Sequence, residues 1–180
     1  MKEIPEISQF LRNLPGFDVL EDAQISDCAR SIEISYYRKG DDILTTGSEN
    51  NRLHLVRSGA VELHDDTGEM MARLADGDCF GFPSLMRQVP ARNHSVTLED
   101  TLIYHLGGDA FSRARRASNE FDTWFIRALA DRLTMQPTAP SFRGVSGQRV
   151  RNLITRAPVS IYVDASIVEV AQKMVADRVS

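Results

Sequence analysis

Between Ile32 and Leu106 the apolar residues come in short runs, mostly with a period of two, and glycines punctuate them. Ile32, Ile34 and Tyr36 alternate with polar residues, the spacing of a half-buried strand. Ile43-Leu44-Thr45-Thr46, Met70 to Leu74, Ser95 to Leu98 and Leu102 to Leu106 read as further strands. Arg52 to Asp65 predicts a hairpin: Leu53 and Leu55 lead in, Ser58-Gly59 turns the chain, and Val61 and Leu63 lead out. Gly40, Gly47, Gly59, Gly68, Gly77 and Gly81 recur between the runs. Many short strands joined by tight turns predict a closed or double-layered β fold.

The period changes on both sides of this region. Glu6 to Leu14 predicts a short helix with Phe10, Leu11 and Leu14 on one face, and Leu20 to Arg30 a second one. Ala110 to Ala117 predicts a third. Asn119 then caps a longer helix, in which Phe121, Trp124, Phe125, Ala128, Leu129 and Leu133 fall at i, i+3, i+4, i+7 spacing. Such a stripe packs on its own domain or against a partner helix, and a wide aromatic stripe can do both. Met135 to Gly147, with Pro137, Pro140, Gly144 and Gly147, reads as a linker. Beyond it, Ser160 to Val163 reads as a strand, and Asp164 or Ser166 as the cap of a helix containing Ile167, Val170, Ala171, Met174 and Val175. Val179-Ser180 falls just where a following strand would start, which reads as a cut within a longer protein.

The stretch Gly77-Asp-Cys-Phe-Gly-Phe-Pro-Ser-Leu-Met86 breaks the strand rhythm. It predicts a turn followed by a short helix, the arrangement that offers backbone N–H groups to an anion. A β fold with one such cradle suggests a sensor of a small phosphorylated ligand.

Length and composition narrow the classes. The 180 residues suffice for one domain and part of another, and 42% hydrophobic content supports a packed core. A net charge of −4 does not suit a binder of polyanions as a whole. Cys28 and Cys79 fit neither a disulfide scaffold nor a metal site with paired ligands; two reduced thiols near the core suit a cytoplasmic protein. Met1-Lys-Glu-Ile-Pro-Glu6 is not an apolar signal segment, and no run approaches the roughly 20 apolar residues of a membrane helix.

Lys39-Gly-Asp-Asp-Ile43, Gly47, Leu53 to Val56, Ser58-Gly-Ala-Val-Glu62, Gly68 and Gly77-Asp-Cys-Phe-Gly81 resemble the cyclic-nucleotide-binding domain family, over roughly residues 10 to 134. The resemblance implies an eight-stranded jelly-roll barrel flanked by helices, mainly β within an α+β class. It also implies that the long helix lids the ligand and mediates a homodimer through Phe121 to Leu133. Val150 to Pro158, Val163-Asp-Ala-Ser-Ile167 and Ala171-Gln-Lys-Met174 resemble the start of a CBS domain. The resulting division is a nucleotide-binding-like domain over 1–134, a linker over 135–147, and a truncated CBS segment over 148–180. That order resembles the N-terminal region of bacterial signal-transduction proteins that also carry a nucleotidyltransferase-like domain.

The resemblance implies a ligand site residue by residue, with cyclic AMP or another nucleotide as the ligand. In the family the cradle begins Phe-Gly-Glu, and the Glu accepts a hydrogen bond from the ribose 2′-OH. Phe80 and Gly81 match; Phe82 stands in the Glu position and cannot accept that bond. Losing such a contact costs ~1–3 kcal/mol, roughly tenfold to hundredfold in affinity. Pro83 has no N–H to donate, although its fixed φ suits a first helical turn. The family's phosphate-binding Arg follows a Pro. Here Pro90 is followed by Ala91 and then Arg92, a shift a long forked side chain can span. Ser84 belongs to the cradle, Asn93, His94 and Ser95 add donors, and Leu85 and Met86 wall the pocket. A phosphate site on the Gly81 to Met86 amides with Arg92 is one reading; a degenerate cradle, folded but empty, is the other.

Other groups point nowhere so specific. His54, His64, His94 and His105 are dispersed without metal spacing, as expected of surface or hairpin histidines. Asp41, Asp42, Asp65 and Asp66 fall in turns, where Asp caps the backbone. Arg113, Arg115 and Arg116 form a solvated basic face. A DNA-binding regulator needs a reading helix after the long helix, and the Pro- and Gly-broken residues 135–180 do not supply its pattern. The sequence predicts a regulatory sensor rather than an enzyme.

Overall fold

The computed structural model describes residues 4–134. The linker and CBS expectations over 135–147 and 148–180 lie outside the described residues. Three short helical pieces come first: α1 (Ile4–Arg12), a 3-10 turn (Phe17–Val19) and α2 (Asp22–Arg30). Helix α2 starts where it does because Glu21 and Gln24 form a reciprocal capping box, with the Gln24 side chain accepting from the Glu21 N–H at 2.9 Å.

Eight strands follow in chain order: β1 (Ile32–Tyr37), β2 (Asp42–Leu44), β3 (Arg52–Ser58), β4 (Val61–His64), β5 (Met70–Leu74), β6 (Cys79–Phe80), β7 (His94–Thr97) and β8 (Thr101–Gly107). Helix α3 (Phe82–Arg87) interrupts them between β6 and β7, and α4 (Gly108–Ala117) and α5 (Asn119–Thr134) end the described chain. The strands form two antiparallel four-stranded sheets, β1-β8-β3-β6 and β2-β7-β4-β5. This is the double-layered alternative, a jelly-roll sandwich rather than a closed barrel.

Ser58-Gly59 does not close the expected hairpin. Strands β3 and β4 lie in different sheets: β3 pairs with β6 and β8, and β4 with β5 and β7. A register shift between Val56 and Ser58 bends β3 out of its ladder. Gly59 then takes φ +104 and donates its N–H to Asp76 Oδ1 at 2.9 Å, with Thr101 too close to admit a Cβ. The turn is a corner between layers.

Side-chain parity sorts the core into two clusters. Val56, Phe80 and Ile103 of the first sheet meet Leu44, Val61, Leu63 and Leu74 of the second, with Ala91 among them; this is the interior of the sandwich. Leu53, Leu55, Tyr104 and Leu106 point the other way and pack under the helices with Ile7, Phe17, Ile25, Phe111, Phe121 and Phe125. Strand β3 is therefore covered on both faces, and Leu53, His54, Leu55 and Val56 are all buried. On β1 the alternation misleads. Ile32 is buried under the helices, but Ile34 and Tyr36 on the same face are 46% and 60% exposed, while Ser35 and Tyr37 turn inward. The helical layer covers only the first residue of that face.

Candidate functional site

The predicted turn and helix form as expected, except that a two-residue strand, β6, lies between them. Gly81 sits at φ +81 as the cap of α3, with Pro83 in its first turn. A Cβ on Gly81 would lie 2.6 Å from His54 Cδ2 and 2.8 Å from Asn50 Nδ2, so the cradle turn rests directly on those two side chains. The Ser84 hydroxyl donates to the Gly81 carbonyl at 3.0 Å.

Phe80, Gly81, Phe82, Ser84 and Leu85 are thus brought together, but they divide between the two cores. Phe80 faces the sandwich interior and stacks on His54 with centroids 4.9 Å apart. Phe82 is 1% exposed and packs edge-on against Phe125 of α5, centroids 5.4 Å apart. Leu85 and Met86, expected to wall a pocket, pack against the helical cluster with it.

At the far end of the cradle the residues after Pro90 divide between interior and surface. Ala91, not an arginine, is buried in the interior after Pro90. Arg92 is exposed, and its guanidinium makes no hydrogen bond or ion pair among the described residues. Along β7 the side chains alternate. Ser95 is fully buried, its hydroxyl 3.5 Å from the Leu44 carbonyl. His94 lies on the outer face, bonded to Asp42 at 2.6 Å, and Asn93 donates to Met71 Sδ at 2.8 Å.

The histidines, dispersed in sequence, are paired by register: His54 opposite His105 and His64 opposite His94. The first pair is buried, with Nδ1 to Nδ1 at 2.8 Å. Burial lowers both, His54 to about 3 and His105 to about 4, and the mutual repulsion of the pair adds to the shift at His54. Burial likewise pushes the Cys28 thiol up to about 12, an inert core thiol. No group of three or more His, Cys, Asp or Glu among the described residues could hold a metal ion.

A cavity of about 150 Å³ lies on the helical side, lined by Leu14, Phe17, Leu55, Phe82, Trp124 and Ala128 among others. Most of its lining residues are apolar and Asp78 is the one charged side chain among them, so it offers no cation to a phosphate. It does adjoin both the cradle, through Phe82, and α5, through Trp124.

Residues 34–118 match the family model of the Cyclic nucleotide-binding domain. They are also the residues that hold both sheets and the cradle. Over these residues the chain is similar to the cyclic nucleotide-binding domain family. Among proteins similar to it is the cAMP-dependent protein kinase regulatory subunit of Candida albicans, 27% identical over 104 residues, which cover 58% of this chain and 23% of that protein. The chain thus spans about a quarter of the length of that relative. The regulatory domain of Toxoplasma gondii PKA, solved with cAMP, superposes with a TM-score of 0.64 at 17% identity, covering 71% of this chain and 50% of that one. The Thermus thermophilus Catabolite Activator Protein gives 0.58 at 26% identity, covering 66% and 58%. No helix of the described residues is long and apolar enough to cross a membrane.

Two features of this fold were beyond sequence reasoning. The chain Asn50–His54–His105–Tyr37 is one. Its signal was parity: His54 and His105 each sit between apolar neighbours, but only the β3–β8 register brings them together. The other is the direction of Phe82, which depends on the layer that covers it.

Proposed function

We propose that this chain is the ligand-sensing regulatory module of a signal-transduction protein. It takes a cyclic nucleotide or a related phosphorylated ligand at the β6–α3 cradle and passes the event through α5. The Phe82–Phe125 contact carries this reading. The first residue of the cradle helix is seated in the same aromatic cluster as the last described helix, so a shift of one is felt by the other. The exposed Arg92 guanidinium, without a partner among the described residues, supplies the cation for a phosphate. The regulatory-subunit relatives support sensing rather than catalysis as the task of the domain.

Residues 148–180, with their resemblance to the start of a CBS domain, support an output that lies beyond α5. A second copy of the chain, docked through α5, completes the proposed unit, in the cytoplasm. Calorimetric titration with cyclic AMP and cyclic GMP tests the reading: saturable binding is expected, weakened roughly tenfold to hundredfold by Arg92→Ala. If wild-type protein takes up neither nucleotide at millimolar concentration, nucleotide sensing is wrong.

A second reading has its own observation. Phe82 stands buried where the family carries an acceptor, and Ala91 occupies the interior position after Pro90. Together they favour a structural and dimerising module whose pocket no longer binds. A stable dimer by sedimentation, combined with no uptake of nucleotide, would select it.

A further inference from the structure

Asn50 precedes β3 and reaches the cradle from behind. Its Nδ2 donates to the Gly81 carbonyl at 2.8 Å and to Ser84 Oγ at 3.1 Å. Its Oδ1 accepts from the Arg52 backbone N–H at 3.1 Å and faces His54 Nε2 at 3.2 Å. Beyond it, His54 Nδ1 meets His105 Nδ1 at 2.8 Å, and His105 Nε2 meets the Tyr37 hydroxyl at 3.2 Å. The charged groups near the pair are Arg52 and Glu33, which form an ion pair with each other at 2.7 Å.

Every proton position in this chain follows from one atom. The Gly81 carbonyl only accepts, so the amide of Asn50 must turn its Nδ2 toward it. Asn50 Oδ1 then only accepts, so His54 carries its hydrogen on Nε2. In the neutral ring that leaves Nδ1 bare, so His105 must donate from Nδ1. His105 Nε2 is then bare in turn and accepts from Tyr37. Two neutral histidines of opposite tautomer satisfy every atom; a proton added at His54 Nδ1 would set two Nδ1 donors against each other at 2.8 Å.

We propose that Asn50 is the positioning residue of the cradle, and that the His54–His105–Tyr37 chain fixes its orientation, so that Gly81 and Ser84 meet a phosphorylated ligand in a single geometry. The ligand part of this statement rests on the sensing reading above; the proton order does not.

The experiment is histidine ¹⁵N NMR on the full chain at neutral pH, with amide hydrogen exchange on wild type, Asn50→Ala and Asn50→Asp. His54 is expected in the Nε2–H form and His105 in the Nδ1–H form; a shared tautomer or an imidazolium overturns the proposal. In Asn50→Ala the Leu85 amide, which donates to the Gly81 carbonyl at 3.2 Å, should exchange at least tenfold faster, with α1 and α2 unchanged. Asn50→Asp keeps the shape and the acceptor but loses the donor, and should show the same local loosening. Unchanged exchange at the cradle in both variants overturns the proposal. Cyclic AMP affinity should fall about tenfold in each. If the wild type binds no cyclic AMP, the sensing reading fails, while tautomer and exchange still decide the role of Asn50.

Discussion

Phe82 is the residue at which the proposed cradle departs most from the Phe-Gly-Glu that the resemblance leads one to expect. It is buried against Phe125 in the helical core, so restoring a carboxylate by Phe82→Glu would place an unpaired charge among aromatic rings and leave a cavity. Thermal melts should show a loss of about 3–5 kcal/mol from the ring alone, with more from the buried charge, and calorimetry no tighter cyclic AMP binding. A stable variant with improved affinity would mean that residue 82 can turn into the sandwich. Gly81→Ala is costly for a different reason. The left-handed φ of +81 strains any Cβ, and His54 and Asn50 leave no room for it; about 1–3 kcal/mol should be lost, with the cradle amides affected first. The need for glycine at 81 was legible, because a turn before a short helix calls for it. The inward or outward aim of Phe82 was not, because a single sequence does not say which layer lies above a residue.

At the scale of elements, β3 and β8 hold the buried histidine pair, and their pairing makes the fold sensitive to acid. In the unfolded chain each histidine titrates near 6.5, whereas in the fold His54 is lowered to about 3 and His105 to about 4. The unfolded state therefore binds more protons below pH 6.5. Stability is fully present above that value and falls as pH drops toward 4, by at most about 1.4 kcal/mol per pH unit for each histidine. Melting temperature measured from pH 7 to 4.5 should fall accordingly, and His54→Gln combined with His105→Gln should flatten the profile. A slope that survives in the double variant would place the acid sensitivity elsewhere. Seven of the eight strands were visible in the alternation of apolar residues; β6, only Cys79–Phe80, is too short to show a period. Pairing was less visible. Ser58-Gly59 has hairpin chemistry, yet the bulge at the end of β3 and the Asp76 contact turn the chain into the other sheet. Turn residues report a local reversal, while the choice of neighbour is made by strands distant in sequence.

For the molecule as a whole, the question is whether the cradle and α5 move together. Phe125 touches Phe17, Phe82, Phe111, Phe121 and Trp124, with ring centroids 4.8 to 6.3 Å apart. A packed cluster of this kind shifts as a unit or not at all. Trp124 is the single tryptophan of the chain; it lies 4.8 Å from Phe125 and lines the cavity beside Phe82. Its fluorescence is therefore a local report on α5. If ligand binding is coupled to the helix, titration with cyclic AMP should change Trp124 emission with the midpoint found by calorimetry. Phe82→Leu keeps an apolar side chain in the cluster but removes the edge-on ring contact. It should leave the affinity within a few-fold and reduce the emission response, separating binding from transmission. Saturable binding with an unchanged Trp124 signal would place the output path somewhere other than α5.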